Sequence, residues 1–238
     1  MVPAAVGYRS SPPEIFVVRS DWAKALCRFV SGTFLSVWPY AFSGRGEESD
    51  DHGPDGLSIY RYWIERRWSE VPDFVLWVMF NPSTATISDD NDDRAVPRCF
   101  KRSQRIVERT GLMIGAMRVV NLFARRATMI DGGSEPWPRG HVLKRPTWVG
   151  PDNDVHIAEQ SAQAALTIVA WGPSLLRGRR AEWRADQVEG MVRDPWCLGV
   201  NAEKHPYYAG PRGAPMDTEI VPLAAARLHS TVGSSSGT

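Results

Sequence analysis

The sequence predicts a three-layer α/β sandwich with a short, mostly parallel central sheet, and three observations carry that reading. The first is the apolar run Phe74-Val75-Leu76-Trp77-Val78-Met79-Phe80, which ends abruptly in Asn81-Pro82-Ser83-Thr84. A continuous apolar run of that length bounded by turn residues reads as a strand buried on both faces. The second is its recurrence. Met117 to Asn121, Leu166 to Trp171 and Cys197 to Val200 are also apolar and also run into turn-rich sequence. The third is the helix-length sequence between these runs, which makes strands alternate with helices.

Taken in order, residues 1 to 19 carry Pro3, Pro12 and Pro13 and read as an extended leader. Ser20 or Asp21 can cap a short helix whose Trp22, Ala25, Leu26, Phe29 and Val30 share one face, a docking stripe. Gly44 to Gly56, with Glu47, Glu48, Asp50 and Asp51, is acidic and glycine-rich and reads as a boundary. The division expected is an N-terminal extension over 1–56, the α/β domain over 57–229 and a disordered tail over 230–238. The aromatic stretch Ser58 to Trp68 suggests an edge strand or hairpin.

After the Asn81 turn comes an acidic loop with Asp89, Asp90, Asp92 and Asp93, and either of the last two can cap a helix with Pro97 in its first turns. Val96, Cys99, Phe100, Ile106 and Val107 face inward along it, and Gly111 closes it. Residues 128 to 152, rich in proline and glycine, form a long excursion of the lid or binding-loop kind. Asp152 or Asn153 can cap the next helix, to about Ala165, and Arg177 to Gly190 is a further basic helical segment.

Composition narrows the function classes. The 238 residues are 43% hydrophobic and 23% charged, enough for one full core plus an appended element. No run of about 18 apolar residues and no signal-peptide pattern occurs, so the expectation is a cytoplasmic protein with no membrane partner. Cys27, Cys99 and Cys197 are odd in number and far apart, and the five histidines are scattered, so neither a disulfide framework nor a metal site is expected. No cofactor is expected either.

The net charge of +1 conceals a basic block. Between Arg94 and Arg126 stand eight arginines and Lys101 against the single acid Glu108. Such a block is either a phosphate-binding surface or a solvated helix face whose charges meet acids elsewhere. The guanidinium fork favours phosphate. On that reading Arg98, Arg102, Arg105, Arg125 and Arg126, with Lys204, contact the DNA backbone.

In open α/β sheets ligands bind beyond the carboxyl ends of the strands, so Asn81, Asn121, the Gly172 turn and His205 are expected to converge. Asn81-Pro82 is also a turn former in its own right. Phe80-Asn81-Pro82-Ser83 resembles the first motif of the uracil-DNA glycosylase superfamily, in which a strand ends in a Gly-x-Asn-Pro or Asp-Pro turn. Glu203-Lys204-His205-Pro206 resembles its late His-Pro-Ser loop, with Tyr207 in place of the serine. Val119-Val120-Asn121-Leu122-Phe123 is similar to the central strand that ends in a base-reading asparagine.

A second resemblance covers residues 58 to about 223. Tyr60-Arg61-Tyr62 with Arg66 or Arg67 and Trp68, Asn81 to Ala85, Asn121 to Thr128, Gly150 to Asp154, Ala170-Trp171-Gly172 and the Cys197-Leu198-Gly199 and His205-Pro206 pairings resemble a bacterial and phage family catalogued as a domain of unknown function.

The first resemblance implies a monofunctional DNA glycosylase that excises a flipped base and leaves an abasic site. Breaking an N-glycosidic bond yields a sugar cation and an anionic base, so a water must be held beneath C1′ and the departing base must receive a hydrogen bond. Asn81 would position the water, with Asp92 or Asp93 as an alternative activator. His205 would stabilise the leaving base or the adjacent phosphate. Asn121 would read the base edge, with Ser83 beside it. The base needs an aromatic platform, for which Phe123, Phe100 and Trp171 are candidates that can equally be core.

The Gly-Pro excursion and the phage context of the second family point to a bulky, hypermodified or glycosylated pyrimidine and a role in antiviral defence. The expected partner is duplex DNA, bound by a monomer. Two other classes fit the same motifs: a hydrolase or transferase acting on a free modified nucleotide, and a nucleic-acid-binding module that has lost catalysis.

Overall fold

The computed structural model describes residues 43–50, 59–82, 94–126 and 146–230, all within the unit Tyr40–Thr238. The leader, the N-terminal helix, Cys27, Ser83, the acid loop with Asp92 and Asp93, most of the Gly-Pro excursion and the tail lie outside them.

Among the described residues, seven strands form one mixed sheet. They are β1 (Ser43–Glu48), β2 (Arg61–Arg67), β3 (Phe74–Met79), β4 (Ala116–Asn121), β5 (Leu166–Val169), β6 (Trp196–Cys197) and β7 (Val221–Pro222), in the spatial order β1-β2-β4-β3-β5-β6-β7. The centre, β4-β3-β5-β6, is parallel, and the antiparallel pairs lie at the two edges. The helices are α1 (Ala95–Thr110), α2 (Pro146–Val149), α3 (Asn153–Gln163), α4 (Pro173–Arg179), α5 (Glu182–Glu189) and α6 (Leu223–His229).

The apolar run named first by the sequence is the middle of the sheet. β3 has a neighbour on each side and is buried throughout, and alternate residues feed two separate cores. Phe74, Leu76 and Val78 pack with Ile157 of α3, Leu176 of α4 and Val188 of α5. Val75, Trp77 and Met79 pack with Val96, Cys99, Phe100 and Ile106 of α1. The domain is therefore three-layered because its central strand is apolar on both faces and needs a helix on each. Trp77 Nε1 ties strand to helix by donating to Ser103 Oγ at 2.9 Å.

Several local expectations are corrected. The acidic glycine-rich segment is no pure boundary: Ser43–Glu48 pairs with β2, so the sheet begins before Leu57. Its residues are all exposed, which leaves no apolar signal to read. The residue at the N-cap of α1 is Arg94, with no side-chain cap bond, where Asp92 or Asp93 was expected. Gly111 does close α1, in the left-handed region at φ 69°. The helix expected over 177–190 is two helices, broken at Arg180, which adopts φ 53°. The last apolar run gives only a two-residue strand, because Gly199 turns the chain at φ 95°.

A candidate anionic-ligand cavity at the strand ends

Parallel register places the carboxyl ends of β3, β4 and β5 side by side. Met79 stands opposite Asn121 and Val78 opposite Val169. Main-chain bonds past the strand ends, from Leu122 to Met79 at 2.8 Å, Phe123 to Phe80 at 3.1 Å and Ala170 to Val78 at 2.8 Å, hold the three exits together. A cavity of about 1030 Å³ opens there. Asn81, Asn121 and the Gly172-Pro173-Ser174 turn all line it, so three of the four expected strand-end features share one space.

Asn121 is 1% exposed, and its side-chain Nδ2 has no hydrogen-bond partner. An unpaired buried amide donor costs about 1–3 kcal/mol, so it is an unspent contact for whatever fills the cavity. Its backbone is held from behind. Asn153 Nδ2 donates to the main-chain oxygens of Asn121 and Leu122 at 3.1 Å each, and Arg184 Nε donates to Leu122 O at 2.8 Å. The Asn153 that reads as a helix cap thus anchors the end of β4, and Arg184, wholly buried, is neutralised by Asp154.

The fourth feature behaves differently. Asn201 Oδ1 accepts from His205 N at 2.9 Å and Tyr207 N donates to Gly199 O at 3.0 Å, folding the loop after β6 back on itself. His205 is half-buried and is not among the residues that line the cavity; Tyr207 and Tyr208, two and three residues on, do line it. Lys204 sits at φ 66° with its carbonyl held by Arg227 Nε at 3.1 Å.

The aromatic candidates also separate. Phe123 is fully buried, with its ring 5.3 Å from that of Phe80, in the core on the α3–α5 side. Phe100 packs edge-on against Trp68 in the α1 core, and Trp171 is fully buried. Tyr208 is the aromatic wall that sequence reasoning passed over. Glycines make room for it: a Cβ at Gly172 would lie 2.8 Å from Tyr208 Cβ, and one at Gly210 would lie 2.2 Å from ring Cε1. Burial pushes its phenol up to about 12, so it stays a protonated hydroxyl at neutral pH. The glycines at 210 and 213, closely following the tyrosine, were the available signal.

The basic block is mostly spent inside the molecule. Arg102, Arg105 and Arg109 of α1 donate to the main-chain oxygens of Ala214, Met216 and Asp217 at 2.6, 3.2 and 3.5 Å. Arg118 pairs with Glu65 at 2.7 Å, Arg125 donates to Thr147 O at 3.4 Å, and Arg126 pairs with Glu48 at 2.5 Å. Arg98 is half-buried, with its Nε unpartnered. Arg102, Arg105, Arg125 and Arg126, expected on a DNA face, thus each make at least one bond to their own chain, while Arg102 Nε and Nη1 and Arg126 Nε and Nη2 are buried without a partner. Lys204 remains exposed.

The cations that do reach the cavity are Arg61, Arg94 and Arg212, and no carboxylate is among the described residues lining it. Arg61 is 1% exposed and donates through Nη2 to Pro82 O at 3.0 Å, fixing the turn that carries Asn81. Burial, then the nearby Arg126, pushes its guanidinium down to about 9, which leaves it charged at neutral pH. Among the described residues no group of three or more His, Cys, Asp or Glu is arranged to hold a metal. Cys99 and Cys197 are buried free thiols, and burial pushes the Cys99 thiol up to about 12. No described helix is long and apolar enough to cross a membrane.

Residues 61–208 match a family described as "Protein of unknown function (DUF1643)". No curated protein matches the chain, and no solved structure does.

Proposed function

The chain belongs to the DUF1643 family, and from the chemistry of its strand-end cavity we propose that it is a DNA glycosylase for a bulky modified pyrimidine. The observation that carries the reading is the shared cavity of Asn81 and Asn121, two carboxamides delivered by adjacent strand ends. The likeness to the uracil-DNA glycosylase superfamily rests on the motifs around these residues and around His205.

In this reading the flipped nucleotide enters with its base toward Asn121, whose unpaired Nδ2 meets a base oxygen. Tyr208 supplies the stacking wall. Asn81 holds the water beneath C1′; an amide is a weak base, so the sugar cation develops before the water attacks. The departing base takes up the developing negative charge in a cavity lined by arginines and by no described carboxylate. Ligand pockets commonly measure about 300–1,000 Å³, and this one, at about 1030 Å³, has room for a pyrimidine carrying a sugar-sized substituent. Such an enzyme acts as a cytoplasmic monomer against phages that install hypermodified bases.

A second reading has its own support. With Arg102, Arg105, Arg125 and Arg126 engaged internally, a free modified nucleotide would use the same cavity without an extended DNA face. Incubation with plain, uracil-containing and hypermodified phage DNA, scored for alkali-labile breaks, tests the first reading. Breaks confined to hypermodified DNA are expected. Breaks on uracil DNA alone overturn the substrate assignment, and intact DNA of all three kinds, with base released from free nucleotides, establishes the second reading.

A further inference from the structure

Two peptide groups past the end of β4 are bonded on both sides. The one between Asn121 and Leu122 donates its N–H to Met79 O at 2.8 Å and accepts from Asn153 Nδ2 at 3.1 Å. The one between Leu122 and Phe123 donates its N–H to Phe80 O at 3.1 Å, and its oxygen takes two donors, Asn153 Nδ2 at 3.1 Å and Arg184 Nε at 2.8 Å. Phe80 immediately precedes Asn81. This second peptide therefore joins the backbone that carries Asn81 to the backbone that carries Asn121, and Arg184 of α5 holds it from the helix side. The guanidinium of Arg184 is fully buried, and its other two nitrogens are also engaged: Nη1 donates to Gln187 Oε1 at 2.9 Å and Nη2 to Asp154 Oδ1 of α3 at 2.5 Å. Gln187 Nε2 closes the ring by donating to Asp154 Oδ2 at 3.1 Å.

Stability alone is a poor reason for this arrangement. Desolvating a guanidinium costs several kcal/mol, and Asp154, whose side chain is 40% exposed, returns only a screened attraction, so an apolar side chain of similar volume stabilises a fold about as well. The Leu122 oxygen already has a donor in Asn153. What neither an apolar side chain nor one amide supplies is direction: a planar fork with three engaged nitrogens ties the Leu122 carbonyl to two helices at once. We propose that Arg184 is a positioning residue, which fixes the separation of the Asn81 and Asn121 carboxamides through the Leu122–Phe123 peptide. The reaction it serves rests on the glycosylase reading; the positioning does not. In that reaction the water at Asn81 must be aligned with a base held at Asn121, and a misplacement of about 1 Å costs on the order of a hundredfold in rate.

Arg184→Met and Arg184→Lys in the full chain test this, by base release from hypermodified phage DNA, by urea unfolding and by the side-chain amide resonances of Asn81 and Asn121 in NMR spectra. Those resonances are assigned through Asn81→Asp and Asn121→Asp, with Asn201 in the loop after β6 as reference. Arg184→Met is expected to stay folded, to lose about tenfold or more in kcat with KM nearly unchanged, and to shift the Asn81 and Asn121 resonances but not that of Asn201. Arg184→Lys, which keeps the charge and loses the fork, is expected to recover part of kcat; if Arg184→Met does not fold, Arg184→Lys against wild type carries the same comparison. Unchanged kcat, a loss of kcat that merely follows the unfolded fraction, or unmoved Asn81 and Asn121 resonances overturns the positioning role. Shifted resonances with no base release from any DNA by the wild type leave the positioning standing and sink the glycosylase reading. Base release by the wild type with unmoved resonances in the variants does the reverse.

Discussion

Arg102 Nη2 donates to the main-chain oxygen of Ala214 at 2.6 Å, across 112 residues of sequence. A helix that reads as a nucleic-acid face thereby holds the loop Gly213-Ala214-Pro215, which forms one wall of the cavity. Arg102→Ala is expected to cost about 1.5–3 kcal/mol, the worth of a hydrogen bond to a charged group, measured by urea denaturation. The slope of log affinity for DNA against log salt is expected to stay unchanged; a fall of about one would mean a lost phosphate contact instead.

Asn153→Ala is expected to destabilise by about 1–3 kcal/mol, because the buried Asn121 carbonyl loses its Asn153 donor and that of Leu122 is left to Arg184. Activity per folded molecule should fall too, since the end of β4 loses its anchor. Retained activity at full stability would show that Arg184 alone suffices.

Asn81→Ala and Asn121→Ala are expected to abolish base release. Asn81→Ala should leave the protein folded, as the residue lies past the end of β3 and lines the cavity. His205→Ala discriminates further: the side chain does not line the cavity as it stands, so loss of kcat in this variant requires the loop after β6 to move when substrate binds. Single-turnover rates, compared with melting curves, decide each case.

Gly210→Ala and Gly213→Ala should behave differently when combined with Tyr208→Ala. A Cβ at Gly210 meets the Tyr208 ring at 2.2–2.9 Å, whereas one at Gly213 meets the Tyr208 main-chain oxygen at 1.8 Å. Removing the ring is therefore expected to relieve the first clash and not the second. Each glycine change alone should cost about 1–3 kcal/mol. A double-mutant cycle that shows coupling at 213 and none at 210 would contradict the packing described.

Glu65 is 2% exposed and lies between Arg118 at 2.7 Å and Arg45 at 2.9 Å. Burial alone would raise its carboxyl, but the hydrogen bonds from Arg118 and Arg45 hold it below its usual range. A depressed folded pKa gives stability that is fully present above the unfolded value, near 4.3, and lost as pH falls through the folded one. Glu65→Gln is expected to cost on the order of 3 kcal/mol at neutral pH and to flatten the acid limb of the stability profile below about pH 4. Unfolding free energies measured between acid and neutral pH check both.

The sequence by itself determined the centre of the sheet and the residues at its edge. Burial on two faces demands apolar residues at successive positions, so β3 is written continuously in Phe74 to Phe80, and the turn residues after it mark where Asn81 leaves the core. Asn121 was legible for the same reason. Only the tertiary structure decided where the charges go. A run of arginines specifies donors, and whether a donor meets a phosphate, a carboxylate or a carbonyl depends on a partner far away in sequence, as Ala214 is for Arg102 and Glu48 for Arg126. The edge strands β1 and β7 were hidden likewise, since their residues are exposed and carry no apolar pattern. Tyr208 entered the cavity through packing against three glycines in two loops, a fit of shapes that no local periodicity encodes.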